Sequence, residues 1–322
     1  MKEGHTSVLM NEVIESLSLN AGDTVVDATL GGAGHFAKIL GALGKDGMLV
    51  GIDADIDAIG RAKETVAKDA RAEKPTVHIV EDNFRNLATI AGSLGITSID
   101  KALFDLGWSG FHLTSGRGFS FQVDEPLYMT YGNPETAEQT AAHLVNTLRE
   151  EELADIIYTY GEESFSRQIA RSIVTARKTK RITTTAMLVE AILAGTPAWY
   201  HRGRINPATK TFQALRIATN DELGSLREGL ASALNLLAPG GRVAVITFHS
   251  IEDRVVKAFF RDGADRGEGV LVSKKPIAPS PAELSANPRA RSAKLRVFEK
   301  GMIAPAKGSA TGVFYANNKT LI

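Results

Sequence analysis

The fold is decided by residues 23 to 36, which read DTVVDATLGGAGHF. Residues 23 to 29 have the length and the Val25–Val26 centre of a buried strand, three glycines follow, and a stripe at helical spacing starts at Phe36. Glycines at a strand-to-helix junction let the backbone approach a ligand closely, next to a helix N-terminus. The stretch therefore predicts the first strand, ligand-binding loop and helix of an α/β domain.

Strand and helix patterns alternate on both sides of this stretch. An amphipathic lead-in helix is predicted at residues 6 to 18. Further strands are predicted at 48–53, 76–81, 101–106 and 242–248 and, from shorter patterns, at 270–273 and 294–300. Helical stripes separate most of these strands, and such alternation implies a mostly parallel sheet with helices on both faces.

The middle of the chain has a different pattern. Residues 110 to about 135 are rich in Gly, Ser, Thr and Pro, and the stripes from there to about 200 are purely helical, with a stop signal at Gly195 and Pro197. We expect an inserted helical domain. The predicted organisation is 1–109 for the first part of the α/β domain, 110–205 for the insertion, 206–300 for the second part and 301–322 for a C-terminal tail.

The composition excludes several classes of site. The 322 residues include no cysteine, which excludes disulfides, thiolate metal sites and a cysteine nucleophile. The formal net charge is zero, so any binding of nucleic acid needs local basic faces. The N-terminus lacks the pattern of a secretory signal, and no apolar run approaches the ~20 residues of a membrane helix. We expect a cytoplasmic protein without membrane segment or metal, whose oligomeric state the sequence does not show.

Acidic residues at the ends of predicted strands indicate which cofactor the glycine loop binds. Asp53 ends the second strand, where a carboxylate can bond both ribose hydroxyls of an adenosine ligand. Residues 32 to 37, GAGHFA, also satisfy the dinucleotide pattern, so an NAD-dependent dehydrogenase is an alternative. Asp27 favours S-adenosylmethionine, because a carboxylate ahead of the glycines can hold an ammonium but would repel a pyrophosphate. Plain tight packing of the glycines and helix capping by Asp53 or Asp55 are the structural alternatives.

Ordered motifs along the whole chain carry a resemblance to a known family. They are HTSVL at 5–9, the loop at 27–35, DLGWS at 105–109, RGFSF at 117–121, YGEE at 160–163, PATKTFQALRI at 207–217, FHSIEDR at 248–254 and NPRARS at 287–292. With these motifs the chain resembles the RsmH (MraW) methyltransferases over about residues 5 to 298. That family modifies the exocyclic amine of one cytidine in the decoding region of small-subunit ribosomal RNA.

The resemblance implies a fold, a cofactor and a partner. The fold is a class I methyltransferase domain, Rossmann-like with a mostly parallel seven-stranded sheet, that carries an inserted helical domain. The cofactor is S-adenosyl-L-methionine, and the partner is small-subunit ribosomal RNA or the assembled small subunit. Together with the reading of the loop, cofactor contacts are predicted at Asp27, Gly32, Ala33, Gly34, His35, Asp53, Phe84, Asp105 and His112.

Asp105 and Ser109 are the predicted catalytic residues. Asp105 ends the fourth predicted strand, at the edge of the sheet where ligands bind. We predict that its carboxylate, with the Leu106 carbonyl, accepts from the target amine or orients the cofactor. Trp108 either stacks on an extruded base or packs the insertion against the sheet. Phe84 either faces the adenine or packs in the core.

Basic and aromatic residues predict the RNA contacts. The predicted substrate contacts are Trp108, Arg117, Phe119, Arg202, Arg204, Lys210, His249, Arg289 and Arg291. Two further groups are basic, Arg167 to Arg181 at the end of one helix and Lys294 with Arg296 after the NPRARS motif. Basic side chains interleaved with aromatics suit single-stranded RNA, but a helix rich in Lys and Arg is more often only solvated.

Several positions depart from the pattern of the family. His112 stands where the family has Gln, Asn206 where it commonly has His, and Gly110 where it has Ser. The segment 126–131, PLYMTY, lacks an acid and an arginine that the family carries there. These departures leave two alternatives open, a methyltransferase that acts on another RNA position or a small molecule, and a non-catalytic RNA-binding assembly factor.

Overall fold

The computed structural model describes residues 7–107 and 110–301. Within these residues the helices are α1 (Met10–Leu17), α2 (Gly34–Ala42), α3 (Ile56–Lys68), α4 (Leu87–Ser93), α5 (Ala141–Thr147), α6 (Glu150–Gly161), α7 (Ser166–Thr179), α8 (Thr185–Ala194), α9 (Ala208–Asn220), α10 (Glu222–Leu236), α11 (Ser250–Asp265) and α12 (Pro281–Ala286). None of these helices has the length and apolar character that crossing a membrane requires. The predicted lead-in helix corresponds to α1, and the predicted stop at Gly195 ends α8.

The strands form one sheet. They are β1 (Thr24–Asp27), β2 (Met48–Asp53), β3 (Thr76–Glu81), β4 (Ile99–Asp105), β5 (Leu237–Thr247), β6 (Gly269–Leu271) and β7 (Lys294–Lys300). Their order is β3-β2-β1-β4-β5-β7-β6. The first five are parallel, and β7 is antiparallel to both of its neighbours. The predicted mostly parallel, seven-stranded, Rossmann-like sheet is therefore confirmed.

The strand order reverses between β1 and β4. From β1 the chain builds outward through β2 and β3 on one side, and through β4 and β5 on the other. In open α/β sheets the helices diverge at such a point, and a crevice forms outside the carboxyl ends of the two strands. Asp27 ends β1 and Asp105 ends β4, so both predicted site carboxylates lie at the reversal.

The chain divides into two compact units. We call one the sheet unit, which takes in the described residues of Met1–Thr114, Tyr131–Thr136 and Asp221–Met302. The other, the helical unit, takes in Ser115–Thr130 and Ala137–Asn220. Both faces of the sheet carry their own apolar cluster, and the helical unit has a third. The runs of Val, Ile and Leu in the central strands follow from this burial on both faces.

The units differ in extent from the domains expected from the sequence. The helical unit continues to Asn220 rather than ending at 205, because Phe212 and Leu215 of α9 are buried in its core with Ile157 of α6. Residues 110 to 114 belong to the sheet unit instead of the insertion. A helical stripe shows which face of α9 is buried but not which core receives it. The predicted tail from residue 302 lies outside the described residues.

The structure corrects the predicted start of β5 and shows how the following helix is capped. The strand begins at Leu237 rather than Arg242, with an irregularity in its pairing to β4 between these residues. The cap of α11 is formed by His249 and Glu252. The backbone N–H of Glu252 donates to Nδ1 of His249 at 3.3 Å, and Phe248 N–H donates to the Glu252 carboxylate at 2.9 Å. Asp253 pairs elsewhere, as described below.

Candidate active site

Asp27 is a fully buried carboxylate with an incomplete set of partners. Its Oδ1 accepts a long hydrogen bond from Thr29 N–H at 3.3 Å, and its Oδ2 is buried without a partner in the described structure. Burial raises the pKa of Asp27 well above its ordinary value, and repulsion from Asp105 and Asp53 adds to this effect. A buried carboxylate oxygen without a donor is costly, so this position suits a ligand that brings a cationic N–H group.

Asp53 joins the glycine loop to the end of β2. Its Oδ2 accepts from Gly31 N–H and its Oδ1 from Asp55 N–H, both at 2.9 Å. Burial raises the pKa of Asp53, although these two N–H groups oppose the shift. A carboxylate has about four lone-pair directions, so each oxygen can accept a further hydrogen bond. The alternative of helix capping belongs to Asp55, whose side chain accepts from Asp57 N–H at the start of α3.

Arg61 on α3 positions the same loop and is not among the residues predicted from the sequence. Its Nε donates to the Gly31 carbonyl at 2.8 Å, and its Nη2 lies 3.8 Å from Asp55 Oδ2. The guanidinium also lies over the Phe111 ring, 4.1 Å from its centroid. Arg61 therefore connects the loop after β1 with the start of α3 and with the segment after β4. No local pattern marks it, because Gly31 lies far from it in the sequence.

The glycine loop turns through two residues in the left-handed region. Gly31 has φ +46° and Ala33, which precedes α2, has φ +60°. A Cβ at Gly34 would collide with the Ser7 hydroxyl, so this glycine allows a close contact of α2 with the segment before α1. His35, on the first turn of α2, is buried with its Nε2 at 3.7 Å from Asp105 Oδ2. The loop therefore brings an imidazole next to the β4 carboxylate.

Asp105 lies beside this loop at the carboxyl end of β4. Its N–H donates to the Thr29 hydroxyl at 2.7 Å, which fixes the ends of β1 and β4 to each other. Its Oδ1 is buried without a partner in the described structure, while its side chain as a whole keeps 24% of its surface exposed. Burial raises the pKa of Asp105 to about 7, with repulsion from Glu252 as a smaller cause. This group can therefore exchange a proton near neutral pH.

Phe84 and His112 have protein contacts of their own. The Phe84 ring packs edge-on against Phe104, with centroids 5.5 Å apart, and a Cβ at Gly229 would collide with it. This contact matches the packing alternative for Phe84, and the adenine contact stays a prediction. His112 is buried with its Nε2 at 3.4 Å from Asp55 Oδ2 and its ring 5.1 Å from that of Tyr131.

Comparison with known proteins shows to which family this chain belongs. Residues 2–301 match the MraW methylase family. The chain belongs to the MraW methylase family. The predicted family, the methyltransferase activity and the cofactor S-adenosyl-L-methionine are therefore confirmed, and the dehydrogenase alternative is wrong.

Similar proteins cover almost the whole methylase. The ribosomal RNA small subunit methyltransferase H of Brevibacillus brevis is 44% identical over 92% of this chain and 98% of its own length. The proteins of the same name from Deinococcus radiodurans and Citrifermentans bemidjiense are each 46% identical over 92% of this chain, and 89% and 98% of their own lengths. The similarity spans both units.

The residues of the crevice fit the cofactor of the family. S-adenosylmethionine supplies a methyl group on a cationic sulfonium, and its methionine end carries an ammonium. The unpartnered oxygens of Asp27 and Asp105 suit these positive charges, and the spare lone pairs of Asp53 suit ribose hydroxyls. Among the described residues no basic side chain donates to Asp27, so a cationic group of the ligand would be its first charged partner. The individual contacts stay predictions.

The predicted RNA contacts of the helical unit form two separate groups. Arg117 lies 5.8 Å from the Phe119 ring, and Phe119 packs on the core of the unit. Arg202 and Arg204 are exposed after the short 3-10 helix Tyr200–Arg202. Lys210 has a structural contact, because its ammonium donates to the carbonyl of Glu162 at the end of α6 at 2.9 Å. The RNA contacts predicted at Arg117, Phe119, Arg202 and Arg204 stay predictions.

The basic group at the end of α7 is partly structural. Arg177 donates to the carbonyls of Val145 and Leu148 at 2.7 Å, which satisfies the last turn of α5. Arg171 pairs with Glu150 at 3.3 Å. These contacts favour the alternative of a structural and solvated helix face for α7.

The basic group near the end of the chain also contains both exposed residues and residues with structural contacts. Arg289 and Arg291 are exposed on a 3-10 helix, and the Arg289 guanidinium lies against Gly110, where a Cβ would collide with it. Arg296 is buried and donates to Asp253 at 2.7 Å, and Lys294 pairs with the same carboxylate at 3.1 Å. The expectation that Arg296 binds RNA is therefore corrected, because β7 places it in a buried ion pair, whereas Lys294 keeps 43% of its side chain exposed.

Trp108 and Ser109 lie outside the described residues, so the base-stacking and catalytic roles stay predictions. His249 caps α11 with a side chain that is only 12% exposed, which explains it without RNA.

The expectation of no metal also stays a prediction. Among the described residues, Glu222, His249 and Glu252 offer ligand atoms within 4.8 Å of one another. Protein contacts account for this group, because Glu252 and His249 form the cap of α11 and the Tyr131 hydroxyl donates to Glu222 at 3.0 Å.

Proposed function

We propose that this methylase transfers the methyl group to the exocyclic amine of a cytidine in the decoding region of small-subunit ribosomal RNA, in the cytoplasm. The observation that carries the proposal is the unpartnered Oδ1 of Asp105, at the strand reversal beside Asp27. The name shared by relatives at 44% and 46% identity supports the ribosomal substrate.

Asp105 has the chemistry that an amine acceptor needs. The lone pair of the cytosine amine is conjugated with the ring, so the amine is a poor nucleophile until its geometry becomes pyramidal. A hydrogen-bond acceptor at an amine proton favours that geometry and stabilises the positive charge that develops on nitrogen. The Oδ1 of Asp105 supplies such an acceptor, and the Leu106 carbonyl is the second candidate. Leu106 N–H donates to the Ile246 carbonyl at 3.0 Å, which holds the turn after β4 against β5.

The loop residues contribute orientation. Holding two reactants in line lowers a barrier by about 7–11 kcal/mol. Asp53 accepts from the N–H of Gly31, Arg61 donates to the carbonyl of Gly31, and Thr29 joins the ends of β1 and β4. These contacts fix the loop before a ligand enters, so little conformational freedom is left to lose on binding.

Exposed basic residues supply the RNA contacts of the proposal. Arg289 lies against Gly110, three residues beyond the Asp-Leu-Gly motif, and Arg291 follows it on the same 3-10 helix. Arg117, Arg202 and Arg204 add positive charge in the helical unit. If these groups bind phosphates, the affinity for RNA falls steeply with salt concentration.

Methyl transfer from labelled cofactor to small ribosomal subunits tests the proposal. The expected product is cytidine methylated at N4 in the decoding region, identified by mass spectrometry of the digested RNA. Naked small-subunit RNA is the second substrate to assay, because the structure leaves both open. Methylation of a different nucleotide would replace the target, and the departures at residues 126–131 make another RNA position the second candidate. A wild-type protein that binds cofactor and RNA but transfers no methyl group would favour the assembly factor.

A further inference from the structure

An aromatic cluster on the helical unit has no role in the proposed reaction. It consists of Phe165, Trp199 and Tyr200, whose ring centroids lie 4.9 to 6.0 Å apart at steep angles. Phe165 packs on the core of the helical unit, whereas the Trp199 side chain is 66% exposed. Leaving so large an apolar ring in water forgoes the stabilisation that burial would give. The cluster therefore presents a supported indole to a partner.

A buried carboxylate holds two rings of the cluster in place through hydrogen bonds. Glu163 is fully buried, its Oε1 accepts from Phe165 N–H at 2.9 Å, and its Oε2 accepts from the Tyr200 hydroxyl at 2.6 Å. Burial and the neighbouring Glu163 raise the pKa of Tyr200, so its hydroxyl stays a donor throughout the neutral range. One carboxylate thus positions two of the three rings, although they lie on different segments of the chain.

The loop that carries Trp199 is held at both of its ends. The Thr196 hydroxyl lies 2.9 Å from Nε2 of His201, within hydrogen-bonding distance. Tyr200 N–H donates to the Pro197 carbonyl at 2.9 Å, and Gly203 N–H to the Tyr200 carbonyl at 3.2 Å. The indole is therefore exposed on an ordered loop, so stacking on it orders few additional groups.

The charges around the indole indicate what it binds. The exposed stretch from 201 to 206 contains His201, Arg202 and Arg204. The sequence from 191 to 220 contains no aspartate and no glutamate, so no acid within this segment offsets the positive charge of the loop. An aromatic face next to guanidinium groups suits a base stacked on the ring with its phosphates on the arginines. A protein partner would need no such row of cations.

We propose that Trp199, supported by Phe165 and Tyr200, stacks an unpaired RNA nucleotide other than the one that is methylated, with Arg202 and Arg204 on its phosphates. That the ligand is RNA rests on the proposed function. Tyr158 provides a matched control within the same unit, because its side chain on α6 is 64% exposed and carries no neighbouring arginine in sequence.

Fluorescence of Trp199 gives a direct test. The sequence has two tryptophans, so the Trp108→Phe variant has Trp199 as its only indole. Labelled oligouridylate, which is unpaired and contains no cytidine, is titrated while its anisotropy reports binding. We expect quenching of the Trp199 emission in step with binding, and no quenching by an RNA duplex. If oligouridylate does not bind, or if it binds without quenching the Trp199 emission, the proposal is wrong.

Affinities of variants give the second test. Because stacking of one base on an aromatic ring stabilises the complex, we expect Trp199→Ala to raise the Kd for oligouridylate about 5- to 150-fold. Trp199→Phe, which keeps a smaller aromatic face, loses less, and Tyr158→Ala leaves the Kd unchanged. Equal losses in Trp199→Ala and Tyr158→Ala would show non-specific binding and overturn the proposal. Both sites are exposed, and thermal unfolding of each variant checks that the helical unit is intact.

Methyl-transfer assays separate this proposal from the proposed function. Quenching by oligouridylate without methylation of small subunits by the wild type would remove the proposed function and keep the stacking site. If Trp199→Ala raises KM for assembled subunits while oligouridylate never quenches, the cluster binds protein and the RNA stacking site is wrong. With both proposals correct, Trp199→Ala raises KM for the RNA substrate and leaves kcat at saturation close to that of the wild type.

Discussion

The two units treat their buried carboxylates in opposite ways. In the sheet unit, Asp27 and Asp105 each have one buried oxygen without a partner among the described residues. In the helical unit, Glu163 is fully buried and each of its oxygens accepts a hydrogen bond from the protein. An unpaired buried charge lowers stability, whereas a paired one fixes geometry. The first pattern indicates where a ligand completes the structure, and the second indicates where the protein completes it alone.

The two units carry their proposed functions in different places, one in a crevice and the other on the surface. The sheet unit has its proposed chemistry in a crevice at a strand reversal. There, Asp27 and Asp105 each have an oxygen without a hydrogen-bond partner among the described residues, which suits a cationic ligand. The helical unit carries its proposed contacts on the surface, at Trp199 and the arginines after it. Substitutions of the buried acids in the sheet unit should therefore change ligand binding and catalysis, whereas loss of a donor to Glu163 in the helical unit should lower stability alone.

Asp105→Ala is expected to have the largest effect. Removing one preorganised group that stabilises developing charge lowers kcat about 10²–10³-fold. Asp105→Asn keeps an acceptor oxygen but not the charge, so its kcat should fall between those of alanine and wild type. Methyl transfer to small subunits measures kcat, and calorimetry with S-adenosylhomocysteine checks that the cofactor site survives. Unchanged kcat in Asp105→Ala would remove this residue from the reaction.

Asp27→Asn is expected to weaken cofactor binding and to stabilise the sheet unit. A hydrogen bond to a charged group is worth about 1.5–3 kcal/mol, which corresponds to a 10- to 150-fold increase in Kd. The same substitution removes an unpaired buried charge, so the melting temperature of the cofactor-free protein should rise. Calorimetry and thermal unfolding measure the two effects. A melting temperature that falls would contradict the idea that this carboxylate lacks a partner.

The pH dependence of kcat/KM is the next largest effect. Because the pKa of Asp105 in the ligand-free protein is raised from its ordinary value of 3.8 to about 7, kcat/KM should fall about tenfold per pH unit below 7. The folded protein also binds this proton more tightly than the unfolded chain, so this group's contribution to the free energy of unfolding decreases as the pH rises from about 4 to about 7. The kcat/KM of Asp105→Asn should lack this pH dependence. An identical profile in both proteins would assign the titration to another group.

Local sequence patterns predict the strands and the residues at their ends. The runs at 48–53 and 76–81 are strands with those bounds, and Asp27, Asp53 and Asp105 each end a strand at the carboxyl edge. A parallel sheet collects such ends at one edge, which is why a strand prediction also locates the crevice.

Contacts between distant segments could not be predicted in this way. The bond from Arg61 to Gly31 and those from Glu163 to Phe165 and Tyr200 depend on how elements pack, which no periodic pattern states. The YGEE motif includes Glu163 without showing that it is buried and that the preceding Glu162 is exposed. The RNA-binding role expected for Arg296 was wrong for the same reason. The sequence of a strand does not show whether a basic residue on it pairs with a distant acid such as Asp253.

Tyr200→Phe is expected to have the smallest effect and to appear in the helical unit. It leaves the Glu163 Oε2 buried without its donor, at a cost of about 1–3 kcal/mol in the free energy of unfolding. At about 2–4 °C per kcal/mol, the melting transition of this unit should shift downward by several degrees. Asp27→Asn, with the opposite sign in the sheet unit, is the matched comparison. A Tyr200→Phe protein as stable as the wild type would show that a buried acid in the helical unit also tolerates an unpaired oxygen, and the contrast between the units would fail.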